Sequence, residues 1–366
     1  MNHQYQKDIS GCGLSGIINA KGERFSGSVI TRSIRSQHDR GNGLGGGFAA
    51  YGIYPQHKNL YAFHLMYDHH TAQEKAESCL RETMFVHHQE PIPIMPTEKI
   101  QAHPILMRYF VLPAITDEEK KEMETLPVTE DDLVVRRVMH INNDIDGAYV
   151  FSSGKDMGAF KGVGFPEDIS DFFMLGDYHG YIWTAHNRFP TNTPGWWGGA
   201  HPFTILDWSI VHNGEISSYG INKRYLEMFG YTCSLFTDTE VVAYMLDLLI
   251  RRHGLPIEIA TSALAAPFWQ VIERCENEDR ELLTAIRMVY GSALLNGPFA
   301  ILFANRRGLV GLNDRVKLRP LVVAKKGDFT YMASEESAIR EIAGDVKEVW
   351  SPIAGEPVIA SMEDHD

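Results

Sequence analysis

Cys12 follows a short polar leader, residues 1–11, and opens the apolar, glycine-punctuated run Cys12-Gly13-Leu14-Ser15-Gly16-Ile17. Removal of the leader at the Gly11–Cys12 bond would put a thiol and an α-amine on one residue. A free α-amine has a pKa of about 7.7–8.0 and a free thiol one of about 8.5, so near neutral pH the amine can take the thiol proton. Cys12 would then be nucleophile and base together. The competing reading of one cysteine at a strand start is a buried structural thiol. Three polar clusters lie further along: His186-Asn187-Arg188-Phe189-Pro190-Thr191-Asn192-Thr193, His212-Asn213-Gly214-Glu215-Ile216 and Phe236-Thr237-Asp238-Thr239-Glu240. Taken singly, Asn213-Gly214 reads as a hairpin turn, Arg188 as half of a surface ion pair, Asp238 as a helix cap and Thr191 as an ordinary turn residue.

The elements that must position these residues are readable from periodicity. Residues 13–20 suit a first strand, and 25–38 a helix with Ile30 and Ile34 on one face. The glycine-rich run 39–47 follows that helix and leads into a strand-like segment, 48–54, the wrong order for a loop that cradles phosphate at a helix N-terminus. Segments 181–186 and 204–211 read as strands, each ending at a polar cluster. Residues 239–253 read as a helix capped by Thr237 or Asp238, with Val241, Val242, Met245, Leu248 and Leu249 on its apolar face and Arg251, Arg252 and Gly254 closing it. Strands at 298–304, 309–312, 321–324 and 329–333, with a helix at 335–343, predict stacked sheets covered by helices. Residues 60–145 read as a peripheral α+β elaboration whose charged run, 117–122, is a solvated helix. The pairs His69-His70 and His87-His88 do not suit a metal site, because adjacent side chains diverge on either a strand or a helix.

With 44% hydrophobic and 22% charged residues among 366, the chain has the composition of a globular protein with a large core. It has no apolar run of membrane-span length, and the leader lacks the cationic start and hydrophobic stretch of a signal peptide, so a cytoplasmic location is expected. Cys12, Cys79, Cys233 and Cys275 have no paired spacing and read as reduced thiols. A net charge of −13 without clustered Lys and Arg argues against nucleic acid and leaves a small molecule or a protein as the partner.

In their order along the chain, Cys12–Ile17 and the three polar clusters resemble the class II glutamine amidotransferases, N-terminal-nucleophile hydrolases that take the side-chain amide of glutamine. Arg188-Phe189-Pro190-Thr191-Asn192-Thr193-Pro194, Ala200-His201-Pro202-Phe203 and His212-Asn213-Gly214-Glu215-Ile216 are most similar to the glutaminase domain of glutamate synthase. Gly311-Leu312-Asn313-Asp314-Arg315, Leu318-Arg319-Pro320-Leu321 and Ala333-Ser334-Glu335-Glu336 match the late strands and helix of that fold. The resemblance covers nearly the whole chain and implies an α+β fold, a four-layer αββα sandwich over residues 12–366 with an insertion at about 60–145, after a leader, 1–11, removed on maturation.

The resemblance further implies Cys12 as nucleophile, with the Asn213 side-chain amide and the Gly214 N–H as donors to the oxyanion formed on amide attack. Arg188 would hold the substrate α-carboxylate through two parallel hydrogen bonds, Asp238 would pair with the α-ammonium, and Thr191 would contact substrate through its hydroxyl. No metal is required. Trp196-Trp197, flanked by Gly195, Gly198 and Gly199, reads either as a lid or as packing against the body. Pro190 and Ser217 depart from residues frequent in glutamate synthases, and the flavin-binding barrel and iron–sulfur cysteines of a complete glutamate synthase are not in this sequence. The expected role is thus a glutaminase subunit that hydrolyses L-glutamine to glutamate and ammonia through a Cys12 thioester and passes ammonia to a partner synthase subunit. FMN and an iron–sulfur cluster would belong to that partner, with no cofactor in this chain. The alternative is a catalytically silent glutamine-binding regulatory or scaffolding subunit.

Overall fold

The computed structural model describes residues 11–100, 102–190 and 195–363. Two antiparallel sheets lie face to face. One has seven strands, in spatial order Glu348–Trp350, Val322–Lys326, Phe329–Ala333, Gly13–Asn19, Ile182–Asn187, Gly46–Tyr51 and Met157–Gly162. The other has five: Phe203–Ile205, Trp208–Gly214, Phe299–Asn305, Gly308–Asn313 and Val358–Ser361. Successive side chains of a strand point to opposite faces, so a strand covered on both sides must be apolar on both. Strand Gly13–Asn19 is buried at every residue, and its two polar side chains are hydrogen-bonded, Ser15 to Ser33 and Gln37 and Asn19 to the backbone N–H groups of Lys21 and Glu23. Its Leu14 and Ile18 join Ile182, Val211, Ala300, Leu302 and Leu309 in the core between the sheets, while Ile17 faces the other way.

On that other side, helices Ser28–Arg35, Pro166–Phe172 and Glu336–Ala343 cover the seven-stranded sheet through Ile30, Ile34, Ile169, Phe172 and Ile339. Helix Asp238–Leu246, continued as a π-helix over Asp247–Arg252, and helix Ile257–Leu264 cover the five-stranded sheet. Val241, Val242, Leu246 and Leu264 pack there with Phe203, Ile210, Ile301 and Phe303. The layers run helix, sheet, sheet, helix, which is the expected αββα sandwich. A further four-stranded sheet, Met84–Pro91, Ile105–Pro113, Tyr61–Tyr67 and Ala148–Ser152, is accompanied by helices His70–Thr83, Asp117–Thr125 and Glu130–Asp144. Helix Asp117–Thr125 buries none of its residues and opens with a capping box between Thr116 and Glu119.

Three element boundaries differ from the sequence reading. The helix expected at 25–38 is Ser28–Arg35, because Phe25–Ser26 is drawn into a two-stranded pairing with His179–Gly180. The strand expected at 204–211 is a hairpin: Phe203–Ile205 pairs with Trp208–Gly214 across a turn in which Leu206 takes a positive φ of 48°. The helix expected over 239–253 changes from α to π at Asp247, whose buried carboxylate accepts from Arg251 Nε at 2.6 Å and from the Tyr231 hydroxyl at 2.5 Å.

Candidate active site

The antiparallel register Gly13↔Asn187 puts the residue before one central strand beside the residue after its neighbour, so Cys12 and Arg188 meet. Cys12 Sγ accepts a hydrogen bond from Phe189 N at 3.3 Å. Strand Trp208–Gly214 of the facing sheet ends with His212-Asn213-Gly214. By the two-residue period, Asn213 shares a face with Val211, and Cys12 continues the face of Leu14, both of which lie in the core between the sheets. The Asn213-Gly214 pair therefore does not form a hairpin; it continues the ladder opposite Ala300 and Phe299. Gly214 has φ +140°, and a Cβ there would collide with Pro298 O, so the residue must be glycine. Asn213 is 1% exposed, and neither polar atom of its side chain has a hydrogen-bond partner among the described residues. Buried amides are seldom left so, and Asn213 directly precedes Gly214, which lines a cavity.

The helix behind this strand supplies the third element. Thr237 caps it, its hydroxyl accepting from Glu240 N at 3.1 Å, which decides the choice between the two expected capping residues. Asp238 is left as the first helical residue with its carboxylate available. That carboxylate accepts from Ile216 N at 2.9 Å and the Thr239 hydroxyl at 3.1 Å, and lies 3.7 Å from His212 Nδ1. Cys12, Arg188, Gly214 and Asp238 all line one cavity of about 270 Å³, together with Phe189, His201, His212, Tyr219 and Phe236. Drug-sized ligands occupy roughly 300–1,000 Å³, so this cavity suits a molecule of amino-acid size.

Burial governs the electrostatics. It pushes the Cys12 thiol up, against the Phe189 N–H and the guanidinium groups of Arg188, Arg319 and Arg40. It also draws Arg188 down from its ordinary value, opposed by Cys12 and Asp238. For Asp238 burial acts upward, but His212, Ile216 N–H and Thr239 outweigh it and hold the carboxyl below its usual range. A cation and an anion thus sit in one cavity beside a thiol. Arg40 additionally donates from Nε to Cys12 O at 3.1 Å and pairs with Glu335 at 2.7 Å, fixing the backbone that carries the thiol.

Thr191 and residues 1–10 of the leader lie outside the described residues. The two tryptophans are packed on the body: Trp197 against Phe172 and Phe173 with Nε1 on Ala102 O, and Trp196 edge-on to Tyr149. The glycine run serves close approach to the site, since a Cβ on Gly45 would press on Arg188, whose backbone N–H bonds Gly45 O at 2.9 Å. His69 caps a helix, and His88 stacks on His57. Among the described residues no group of three or more His, Cys, Asp or Glu side chains is arranged to hold a metal ion.

Sequence reasoning missed a buried polar layer beneath the cavity. His186 stacks on His201 at 3.9 Å, and burial pulls both imidazoles down, His186 to about 3, so both are neutral. Lys161, 1% exposed, donates to Gly198 O at 2.9 Å and lies 4.5 Å over the Phe203 ring. Burial lowers Lys161 to about 7 and raises Glu240 to about 7, each partly offset by the other's charge. The available signal was a lysine inside the otherwise apolar strand Met157–Gly162.

The family of class II glutamine amidotransferases matches residues 90–351 by its sequence pattern, and the chain belongs to that family. Its αββα sandwich is the architecture that the resemblance to this family implied. The chain is 52% identical to an uncharacterized protein of Archaeoglobus fulgidus, over 98% of this chain and 94% of that one. It is 23% identical to glutamine–fructose-6-phosphate aminotransferase (isomerizing) of Bacteroides thetaiotaomicron, over 58% of this chain but 30% of that protein's length. The glutamine phosphoribosylpyrophosphate amidotransferase structure from B. subtilis aligns over 96% of this chain and 47% of that one, with a TM-score of 0.47 and 16% identity.

Proposed function

We propose that the chain is a glutaminase subunit: it hydrolyses L-glutamine at Cys12 and yields ammonia to an acceptor on another polypeptide. The observation that carries this is the meeting of Cys12, Arg188, Gly214 and Asp238 around one cavity of amino-acid size. Arg188 takes the α-carboxylate and Asp238 the α-ammonium, which aims the side-chain amide at Cys12 Sγ. After removal of the leader, the Cys12 α-amine accepts the thiol proton as sulfur attacks the amide carbon. The Asn213 amide and Gly214 N–H stabilise the resulting oxyanion. The carbon–nitrogen bond breaks as the protonated Cys12 α-amine returns that proton to the leaving nitrogen, releasing ammonia and a glutamyl thioester. Water, deprotonated by the same amine, then releases glutamate and restores the thiol. No step uses a cofactor in this chain. The likeness to glutamate synthase favours an acceptor subunit carrying FMN and an iron–sulfur cluster, and the helices described here include none long and apolar enough to cross a membrane.

The test is intact mass spectrometry before and after treatment with a diazoketone analogue of glutamine. Loss of residues 1–11 with one adduct on Cys12 is the expected result. A retained leader with no adduct overturns the proposal in favour of a glutamine-binding subunit without turnover.

A further inference from the structure

Thr239 is fully buried at the first turn of helix Asp238–Leu246, and its hydroxyl stands between three groups. Oγ1 lies 3.1 Å from Asp238 Oδ1, 2.9 Å from His201 Nε2 and 3.1 Å from His212 Nδ1. A hydroxyl has one proton and two lone pairs. The ionised Asp238 carboxylate can only accept, so the proton goes to Asp238, and both lone pairs must receive N–H donors. That places a hydrogen on His201 Nε2 and on His212 Nδ1. The remaining ring nitrogens, His201 Nδ1 and His212 Nε2, are buried atoms with no hydrogen-bond partner among the described residues. An unpartnered lone pair is tolerated where an unpartnered N–H is not. His201 is held from behind, by stacking on His186, whose own Nε2 bonds His212 O at 2.9 Å.

We infer that Thr239 is a positioning residue for substrate recognition: its hydroxyl, loaded by N–H donors from two imidazoles, aims the Asp238 carboxylate at the substrate α-ammonium. The inference rests on the glutaminase reading above. Asp238 has freedom about its side-chain torsions, and the Ile216 N–H alone would fix one oxygen. The Thr239 bond fixes the other. Both imidazoles that load it line the same cavity, so the aim of Asp238 and the shape of the cavity are set by one unit.

The experiment compares glutamine with glutaramate, which is glutamine without its α-amino group, as substrates for the mature protein. Thr239→Val keeps the shape and removes the hydroxyl. It is expected to raise the KM for glutamine about tenfold or more with kcat within about threefold, and to shrink the preference for glutamine over glutaramate by a similar factor. Thr239→Ser, which keeps the hydroxyl, should restore both. An unchanged preference in Thr239→Val, or a Thr239→Ser variant as impaired as Thr239→Val, overturns the inference. If Thr239→Val does not fold, His212→Phe removes one of the two loading donors and must lower the same preference; an unchanged value there also overturns it. Protection of Cys12 against the diazoketone by glutamine gives the same comparison without turnover. A wild-type protein that neither turns over glutamine nor is protected by it refutes the glutaminase reading itself, whereas a glutamine-responsive wild type with an unaffected variant refutes only the role of Thr239.

Discussion

Arg188 and Cys12 line the cavity together, and in the proposed reading these two residues carry its chemistry. A buried guanidinium offers two parallel donors to a carboxylate, and a hydrogen bond to a charged group is worth about 1.5–3 kcal/mol. Arg188→Ala is therefore expected to raise the KM for glutamine roughly ten- to hundredfold with a smaller change in kcat. Steady-state kinetics decide it, and an unchanged KM would take Arg188 out of the carboxylate role. Arg188→Lys should recover only part of the loss, since an ammonium cannot make the paired contact. Cys12→Ala should abolish hydrolysis while leaving circular dichroism and thermal midpoint near those of the parent. Residual turnover at the parent rate would mean that another group attacks the amide.

At the scale of the element, the informative feature is the N-terminus of helix Asp238–Leu246. Three consecutive residues divide the work there: Thr237 caps the helix, Asp238 turns its carboxylate to the cavity, and Thr239 ties that carboxylate to His201 and His212. Asp238, held below its usual range, also places negative charge in the first turn, where the helix dipole favours it. Thr237→Ala should lower stability by about 1 kcal/mol, within the usual 0.5–2 kcal/mol for a lost cap. A denaturant midpoint equal to the parent's would show that Asp238 can take over the cap. Strand ends do the corresponding work for Cys12 and Gly214, because antiparallel neighbours bring the start of one strand to the end of the next.

For the whole molecule, the buried Lys161 and Glu240 make stability depend on pH in a definite sense. Lys161 is lowered to about 7 in the folded chain from an ordinary 10.5, so above pH 7 the unfolded state binds more protons than the folded state. Stability then rises with pH between those values, by at most about 1.4 kcal/mol per pH unit from this group. Glu240, raised to about 7 from 4.5, acts in the opposite sense and only below about pH 7, because its folded state holds the extra proton there. The window from about pH 7.5 to about pH 9 thus isolates Lys161 from Glu240. Thermal denaturation of the parent should show a rising midpoint across it, and Lys161→Met should flatten the rise. An equal slope in both proteins would mean that Lys161 stays protonated in the fold.

The sequence by itself determined what could be read from contiguous residues. Periodicity in single segments predicts strands with helices over them. The short runs around Cys12, Arg188, Asn213-Gly214 and Asp238 suggest their chemistry through residue types that adjoin one another, and the structure brings Cys12, Arg188, Gly214 and Asp238 to one cavity. Turns and helix ends are less legible in the sequence, because they depend on distant partners. Phe25–Ser26 leaves its helix for His179–Gly180, and Leu206 adopts a positive φ that only the paired hairpin sustains. The polar layer under the cavity was decided by the tertiary structure alone. Thr239 meets His201 38 residues before it and His212 27 residues before it. Lys161 finds its acceptor 37 residues ahead, on Gly198. No local pattern reports such pairings, because hydrogen-bond partners in a sandwich are chosen by which strand ends the two sheets bring together, and burial, which shifts Lys161, Glu240 and the histidines, exists only once those sheets have closed.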